Sequence, residues 1–200
     1  MNNLKTGDLI FFTGHTQGWL SSFSSLIEYT THSNFSHIAV ILKDPTFISP
    51  ILKGTYVWQS SWEGKPDPQD GKIKLGVQIT PLKEVLETFK NSKVIVRTIN
   101  CPKDTFTDEK LNEIHKVVYD KPYDIVPKDW IEALLRKDDK PQKTNRFWCS
   151  ALVGYIYTKC GILRADTDWS IMRPNDFSLD GEFLNLNEGF VLSNTETRIQ

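Results

Sequence analysis

Three cysteines and four histidines are the chemically pointed side chains of this sequence. A thiol nucleophile needs a base, and the two are sought together. Cys149 comes just after the polar segment Lys143-Thr144-Asn145-Arg146 and opens the most apolar helical pattern of the chain, Trp148 to Cys160. In the first turn of a helix, unpaired backbone N–H groups and the positive end of the dipole favour a thiolate. The same N–H groups can hold an oxyanion. A packing role fits the pattern too, since Cys149, Leu152, Val153, Ile156 and Cys160 share one helical face. Cys160 meets the unfavourable end of the dipole and Cys101 precedes a proline in a loop, so both read as structural.

Among the histidines, His37 heads the apolar strand His37-Ile38-Ala39-Val40-Ile41. A sheet rim holds an imidazole in place while one ring nitrogen can face a cleft, and an ordinary edge residue fits the position too. His115 lies on the apolar stripe of its helix and reads as a satisfied core histidine, while His15 and His32 lie in polar turn segments. A third group must orient the imidazole through its second nitrogen. Gln59, on the strand Tyr56-Val57-Trp58-Gln59-Ser60, is placed for that, with Glu63 in the following segment as the charged rival. Gln59 as an ordinary strand residue fits the spacing equally.

Other chemistries find little support. There is no Cys-x-x-Cys pair and no disulfide framework. His32 and His37 are five apart, the wrong spacing for one helical face, so no metal site is expected. No phosphate-cradling glycine loop and no Gly-x-Ser-x-Gly occurs, so no cofactor is expected. With 24 basic against 25 acidic residues and dispersed aromatics, no nucleic-acid partner is expected. No apolar run approaches the roughly 18 residues of a membrane span, and the first residues lack the apolar core of a signal peptide. The expectation is therefore a soluble, cytoplasmic chain.

The elements that must position these residues are short strands and a few amphipathic helices. Strands are expected over Asp8–Thr13, Ser36–Leu42, Thr55–Ser60, Ile73–Ile79 and Lys93–Ile99. Helical patterns cover Gly18–Tyr29 with its Trp19, Phe23, Leu26, Ile27 stripe, then Asp108–Tyr119, the stretch from Pro127 to Leu135, and Trp148–Cys160. Thr80 and Pro81 suit the N-cap and first position of a helix carrying Leu82, Val85, Leu86 and Phe89. Gly161 suits a C-cap. At about 150 residues per domain, 200 residues make one domain, 1–200. Within it, 61–71 reads as an exposed loop, 136–146 as a charged linker and 164–200 as an irregular C-terminal segment.

Four segments, in order, resemble the circularly permuted NlpC-type papain-like cysteine hydrolases, the YiiX/YebB-like group with relatives in bacteria, poxviruses and other large DNA viruses. They are Gly7-Asp8-Leu9-Ile10-Phe11-Phe12, Ser36-His37-Ile38-Ala39-Val40, Phe147-Trp148-Cys149-Ser150-Ala151-Leu152-Val153 and Arg173-Pro174-Asn175-Asp176-Phe177. Val77-Gln78-Ile79-Thr80-Pro81-Leu82 and Lys121-Pro122-Tyr123-Asp124 are similar to further family segments, so the resemblance spans most of 5–180. In the permuted group the histidine precedes the cysteine, and His37 precedes Cys149 here. The resemblance implies an α+β papain-like domain, with a small, mostly antiparallel sheet packed against the cysteine helix. It also implies Cys149 as nucleophile and His37 as general base. The family's third residue is commonly a glutamate. Gln59 stands at the matching place, so either Gln59 serves, or Glu63 reaches in, or activity is weakened.

The function expected from this resemblance is a cysteine hydrolase or acyltransferase acting on an amide or ester through an acyl-thioester at Cys149. The substrate is expected to be a small peptide or a lipid-like acyl compound. The alternative is a catalytically weak or inert papain-like module with a binding or structural role, for instance in a virion. A viral protein would sit in the host cytoplasm or the virion. Peripheral membrane contact through Trp19 and Phe23 is an open possibility, and nothing in the sequence sets the oligomeric state.

Overall fold

A computed structural model describes residues 3–13, 35–124, 144–181 and 184–200. The expected helix over Gly18–Tyr29, with Trp19 and Phe23, lies outside the described residues. So do His15, His32, the stretch from Pro127 to Leu135 and most of the 136–146 linker. No described helix is long and apolar enough to cross a membrane.

The fold is α+β, built on a six-stranded sheet. Its strands are β1 (Leu9–Phe12), β2 (His37–Lys43), β3 (Thr55–Pro66), β4 (Ile73–Pro81), β5 (Val94–Arg97) and β8 (Thr197–Arg198). They lie in the order β4-β3-β2-β1-β5-β8, with every pairing antiparallel. A small second sheet joins β6 (Ile99–Asn100) to β7 (Val191–Leu192). Among the described residues the helices are α1 (Leu82–Thr88), α2 (Asp108–Val118) and α3 (Cys149–Lys159), followed by 3-10 turns at Trp169–Ile171 and Pro174–Phe177.

The central strand explains the layering. Every residue of β2 from His37 to Leu42 is buried, because helices cover both faces, and a strand covered on both sides reads as a continuous apolar run. Alternation then divides it. Ile38, Val40 and Leu42 join Leu9, Phe11, α2 and α3 in the larger core. Ala39 and Ile41 join Ile10, Phe12, Val57 and the Leu82, Val85, Leu86, Phe89 stripe at α1 in the smaller one. Each fully buried Leu, Ile or Phe side chain stabilises the fold by about 1.5–3 kcal/mol.

Several boundaries differ from the sequence expectation. β3 runs to Pro66, so most of 61–71 is strand rather than exposed loop; pairing with β4 at Ser61↔Gly76, Trp62↔Leu75 and Pro66↔Ile73 outweighs its prolines, glycines and charges. Asp67, which follows it, is buried on Lys74 at 3.0 Å. Thr80 does not cap α1. It belongs to β4, and the helix begins after Pro81. The C-terminal segment is less irregular than expected, since β8 adds the last strand to the sheet. Arg97 holds this segment by donating to the carbonyls of Phe177, Ser178 and Ser193 at 2.7–2.9 Å.

At the end of α3, Gly161 takes φ +78°. The Ile162 and Gly161 amides donate back to Tyr157 O and Thr158 O. This is the left-handed helix stop that the glycine was expected to make.

Candidate active site

Cys149 is the first residue of α3, and its backbone is fixed from three directions. Ser60 on β3 donates its hydroxyl to Phe147 O at 2.6 Å. Trp148 Nε1 and the Ser150 hydroxyl both donate to Met172 O, at 3.3 and 2.7 Å. Gly154 lets the helix approach the following 3-10 turn, because a Cβ there would meet Met172 Sδ at 2.9 Å and Trp169 Cβ at 3.0 Å.

The thiol reaches the backbone of β2. The ladder between β2 and β3 pairs Lys43 to Val40 with Thr55 to Trp58 and ends there. Two residues on, the Ile38 amide lies near the Cys149 sulfur and pulls the thiol pKa down. The Ser150 amide and the Cys149 amide itself act on the thiol in the same direction. The Ser150 hydroxyl lies close by, but its proton is committed to Met172 O. Burial pushes the thiol pKa up, and the amide donors work against that rise.

His37 is the neighbour of that amide. Its ring stands on the α1 side of the sheet, parallel to Phe89 at a centroid distance of 5.8 Å and tilted on Phe12 at 5.4 Å. Nε2 lies 2.8 Å from Gln59 Oε1. The amide of Gln59 is oriented by its other end, where Nε2 donates to Glu63 Oε1 at 3.0 Å and to Thr80 Oγ1 at 3.2 Å. With the amide oxygen toward the ring, His37 Nε2 must carry the hydrogen, which leaves the lone pair on Nδ1. Burial lowers the His37 pKa to about 4, against the opposing pull of Gln59. The resting imidazole is neutral at physiological pH.

The expected residues are thus arranged as follows. His37, Gln59 and Glu63 form one hydrogen-bonded row, with Gln59 and not Glu63 on the imidazole. The Cys149 sulfur lies near the Ile38 amide on the α3 side of the sheet, and no hydrogen bond joins it to the His37 ring, which stands on the α1 side. Cys160 is buried, its pKa pushed up to about 12 by burial, and Cys101 packs at the edge of the larger core. His115 is a satisfied histidine, its Nε2 2.5 Å from Gln69 Oε1. No described group of three or more His, Cys, Asp or Glu side chains is placed to hold a metal ion.

Tyr123, in the segment Lys121-Pro122-Tyr123-Asp124, also lies at the thiol. The Tyr123 hydroxyl lies near the Cys149 thiol, and burial together with that thiol and Asp124 drives its pKa well above 10. Lys121–Asp124 is laid along β4, where Val77 N donates to Lys121 O at 2.8 Å and Tyr123 N to Leu75 O at 3.1 Å. Its other side bonds the residue before the helix, with Asp124 N on Phe147 O and Phe147 N on Pro122 O, both 3.1 Å. Asp124 pairs with Arg146 at 3.2 Å. The signal in the sequence was a tyrosine after a proline, just beyond a helix; its bridge to Phe147 joins positions 24 residues apart.

No family model matches the chain, and a search of curated proteins finds no match. Among solved structures, it is similar to the crystal structure of metalloprotein yiiX from Escherichia coli O157:H7. The two are 22% identical, the match covers 78% of this chain and 66% of that one, and the TM-score is 0.48. The chain therefore spans just under two thirds of that protein's length.

Proposed function

We propose that the protein is a thiol hydrolase or acyltransferase that opens an amide or ester through an acyl-thioester on Cys149. The observation that carries this reading is the placement of the Cys149 sulfur. It lies near the amide of Ile38, the residue that follows His37, whose ring is fixed by Gln59. The chemistry starts from a neutral pair. His37 Nδ1 takes the thiol proton as the sulfur attacks the carbonyl carbon, and the imidazolium then gives that proton to the departing amine or alcohol. Water or an acceptor alcohol or amine attacks the thioester, loses its proton to Nδ1, and the thiol is restored. Tyr123 would donate to the sulfur or to the oxyanion beside it.

A second reading, a papain-like shell kept for binding or structure, rests on burial. Cys149 is 2% exposed and His37 7%.

Iodoacetamide labelling separates the two. The expected result is that Cys149 labels much faster than Cys101 and Cys160 near neutral pH, and that His37→Ala slows Cys149 by about tenfold or more. Equal rates at the three thiols of the folded protein would overturn the catalytic reading. Mass-spectrometric detection of an acyl group on Cys149 after exposure to lipid and to peptide extracts would distinguish ester from amide substrates.

A further inference from the structure

Glu63 sits behind the imidazole clamp in an arrangement that packing does not explain. Its side chain is buried on β3, four residues from Gln59. Oε1 accepts from Gln59 Nε2 at 3.0 Å and from the Ser61 hydroxyl at 3.3 Å. Oε2 is buried with no hydrogen-bond partner among the described residues. The Thr88 hydroxyl on α1 lies beside the carboxyl, but its proton goes to Glu84 O at 3.2 Å. A buried carboxylate oxygen without a donor weakens a fold, and a glutamine would fill the same space without the charge. The charge therefore calls for a functional reason.

We propose that Glu63 is a positioning residue for the thiol site, acting through Gln59 to hold the His37 tautomer and to make activation of Cys149 increase with pH. The inference rests on the reading of Cys149 and His37 as nucleophile and base. When ionised, Glu63 makes a charge-assisted bond to the Gln59 N–H, roughly twice as strong as a neutral one. That bond polarises the amide, whose oxygen then holds the His37 Nε2 hydrogen more firmly, because hydrogen bonds in a chain reinforce one another. Gln59 uses both its amide hydrogens, on Glu63 and on Thr80, so its oxygen cannot turn away from the ring. No proton moves along the row. The thiol proton still goes to Nδ1, and the row stabilises the imidazolium that results.

Burial raises the Glu63 pKa to about 7, against the nearby Thr88 hydroxyl, the donors on Gln59 and Ser61 and the charge of Lys65. The charged and titratable groups around it are few. Lys65, on the same strand, is partly exposed and held by Glu84 and Glu87 of α1 at 3.8 and 3.5 Å. His37 on β2 is neutral over the same range, and β4 contributes the uncharged Thr80. Glu63 is the group in this row that changes charge near neutrality.

The test is the rate of Cys149 alkylation by iodoacetamide between pH 5 and 9, for the wild type and Glu63→Gln. The ratio of the two rates is expected to be near one at pH 5, where Glu63 is protonated and glutamine imitates it. It is expected to rise to about fivefold or more above pH 8, with its midpoint near pH 7. In a Gln59→Leu background, Glu63→Gln should change nothing further. A ratio that does not vary with pH, or an effect that survives loss of Gln59, would overturn the proposal. His37→Ala tells the two failures apart. If it slows alkylation while the ratio stays flat, only the role of Glu63 falls; if it has no effect on Cys149, the nucleophile–base reading falls and takes this one with it. A second measurement needs no variant: the ¹⁵N shifts of the wild-type His37 ring should report an Nε2–H tautomer and an inflection near pH 7, and their absence would overturn the proposal.

Discussion

The Cys149 thiol is held up in pKa by burial, and what draws it back is the polar backbone around it, the Ile38 and Ser150 amides first, with the Tyr123 hydroxyl close to the thiol. The amides come with the fold and cannot be removed by substitution. The hydroxyl can. Tyr123→Phe keeps the half-buried ring and deletes one donor, a hydrogen bond of about 1 kcal/mol that favours the thiolate. Cys149 alkylation near pH 8 is expected to slow about fivefold, with thermal stability little changed. An unaltered rate, measured by mass spectrometry on the folded variant, would show that Tyr123 merely packs there. At this scale Cys149, His37 and Gln59 were legible in the sequence as chemically apt residue types, and the structure joins two of them, His37 and Gln59, by a hydrogen bond. Tyr123 was not, because its role depends on Lys121–Asp124 being laid between β4 and Phe147, which no local pattern encodes. The Gln59–Glu63 order was also hidden, since a one-residue register change would have presented a different side chain to the ring.

Among the elements, β4 does the positioning that the helix cannot do for itself. Gly76 has φ +151°, and a Cβ there would lie 2.2 Å from Lys121 O and 2.9 Å from Pro122 Cα. Only glycine lets the strand and the Tyr123 segment come so close, and both contacts are with backbone, which cannot swing aside. Gly76→Ala is expected to destabilise the protein by about 2–3 kcal/mol and to shift Tyr123 away from the sulfur. Denaturant unfolding checks the first effect. Slower Cys149 alkylation in the folded variant checks the second, and a variant as stable and reactive as wild type would refute this account of β4. The strand cores and the α3 boundary were readable from apolar runs and from Gly161. The extension of β3 to Pro66 was not, because its composition is that of a loop and its strand state comes from the pairing with β4.

Across the whole molecule, the buried row ties function to stability with opposite signs. For His37 the folded pKa, about 4, lies below its ordinary 6.5. The unfolded chain binds the extra proton, so this contribution is fully present above pH 6.5 and is lost as pH falls toward 4. For Glu63 the folded pKa, about 7, lies above its ordinary 4.5. The folded chain binds the extra proton, so this contribution is present below pH 4.5 and is lost as pH rises through 7. Between those limits the two slopes oppose each other, and the wild type should draw little net pH dependence from the pair. Glu63→Gln removes one slope and leaves the other. The variant is expected to match the wild type near pH 4.5 and to exceed it in stability by about 3 kcal/mol above pH 8, a difference of two to three pK units at 1.36 kcal/mol each. Urea unfolding at both pH values measures it directly. A variant that gains stability at the pH where it loses thiol reactivity would carry the signature of a charge kept for activity at the expense of the fold. If it were less stable than wild type at pH 8, Glu63 would be a structural carboxylate whose burial the surrounding donors already offset.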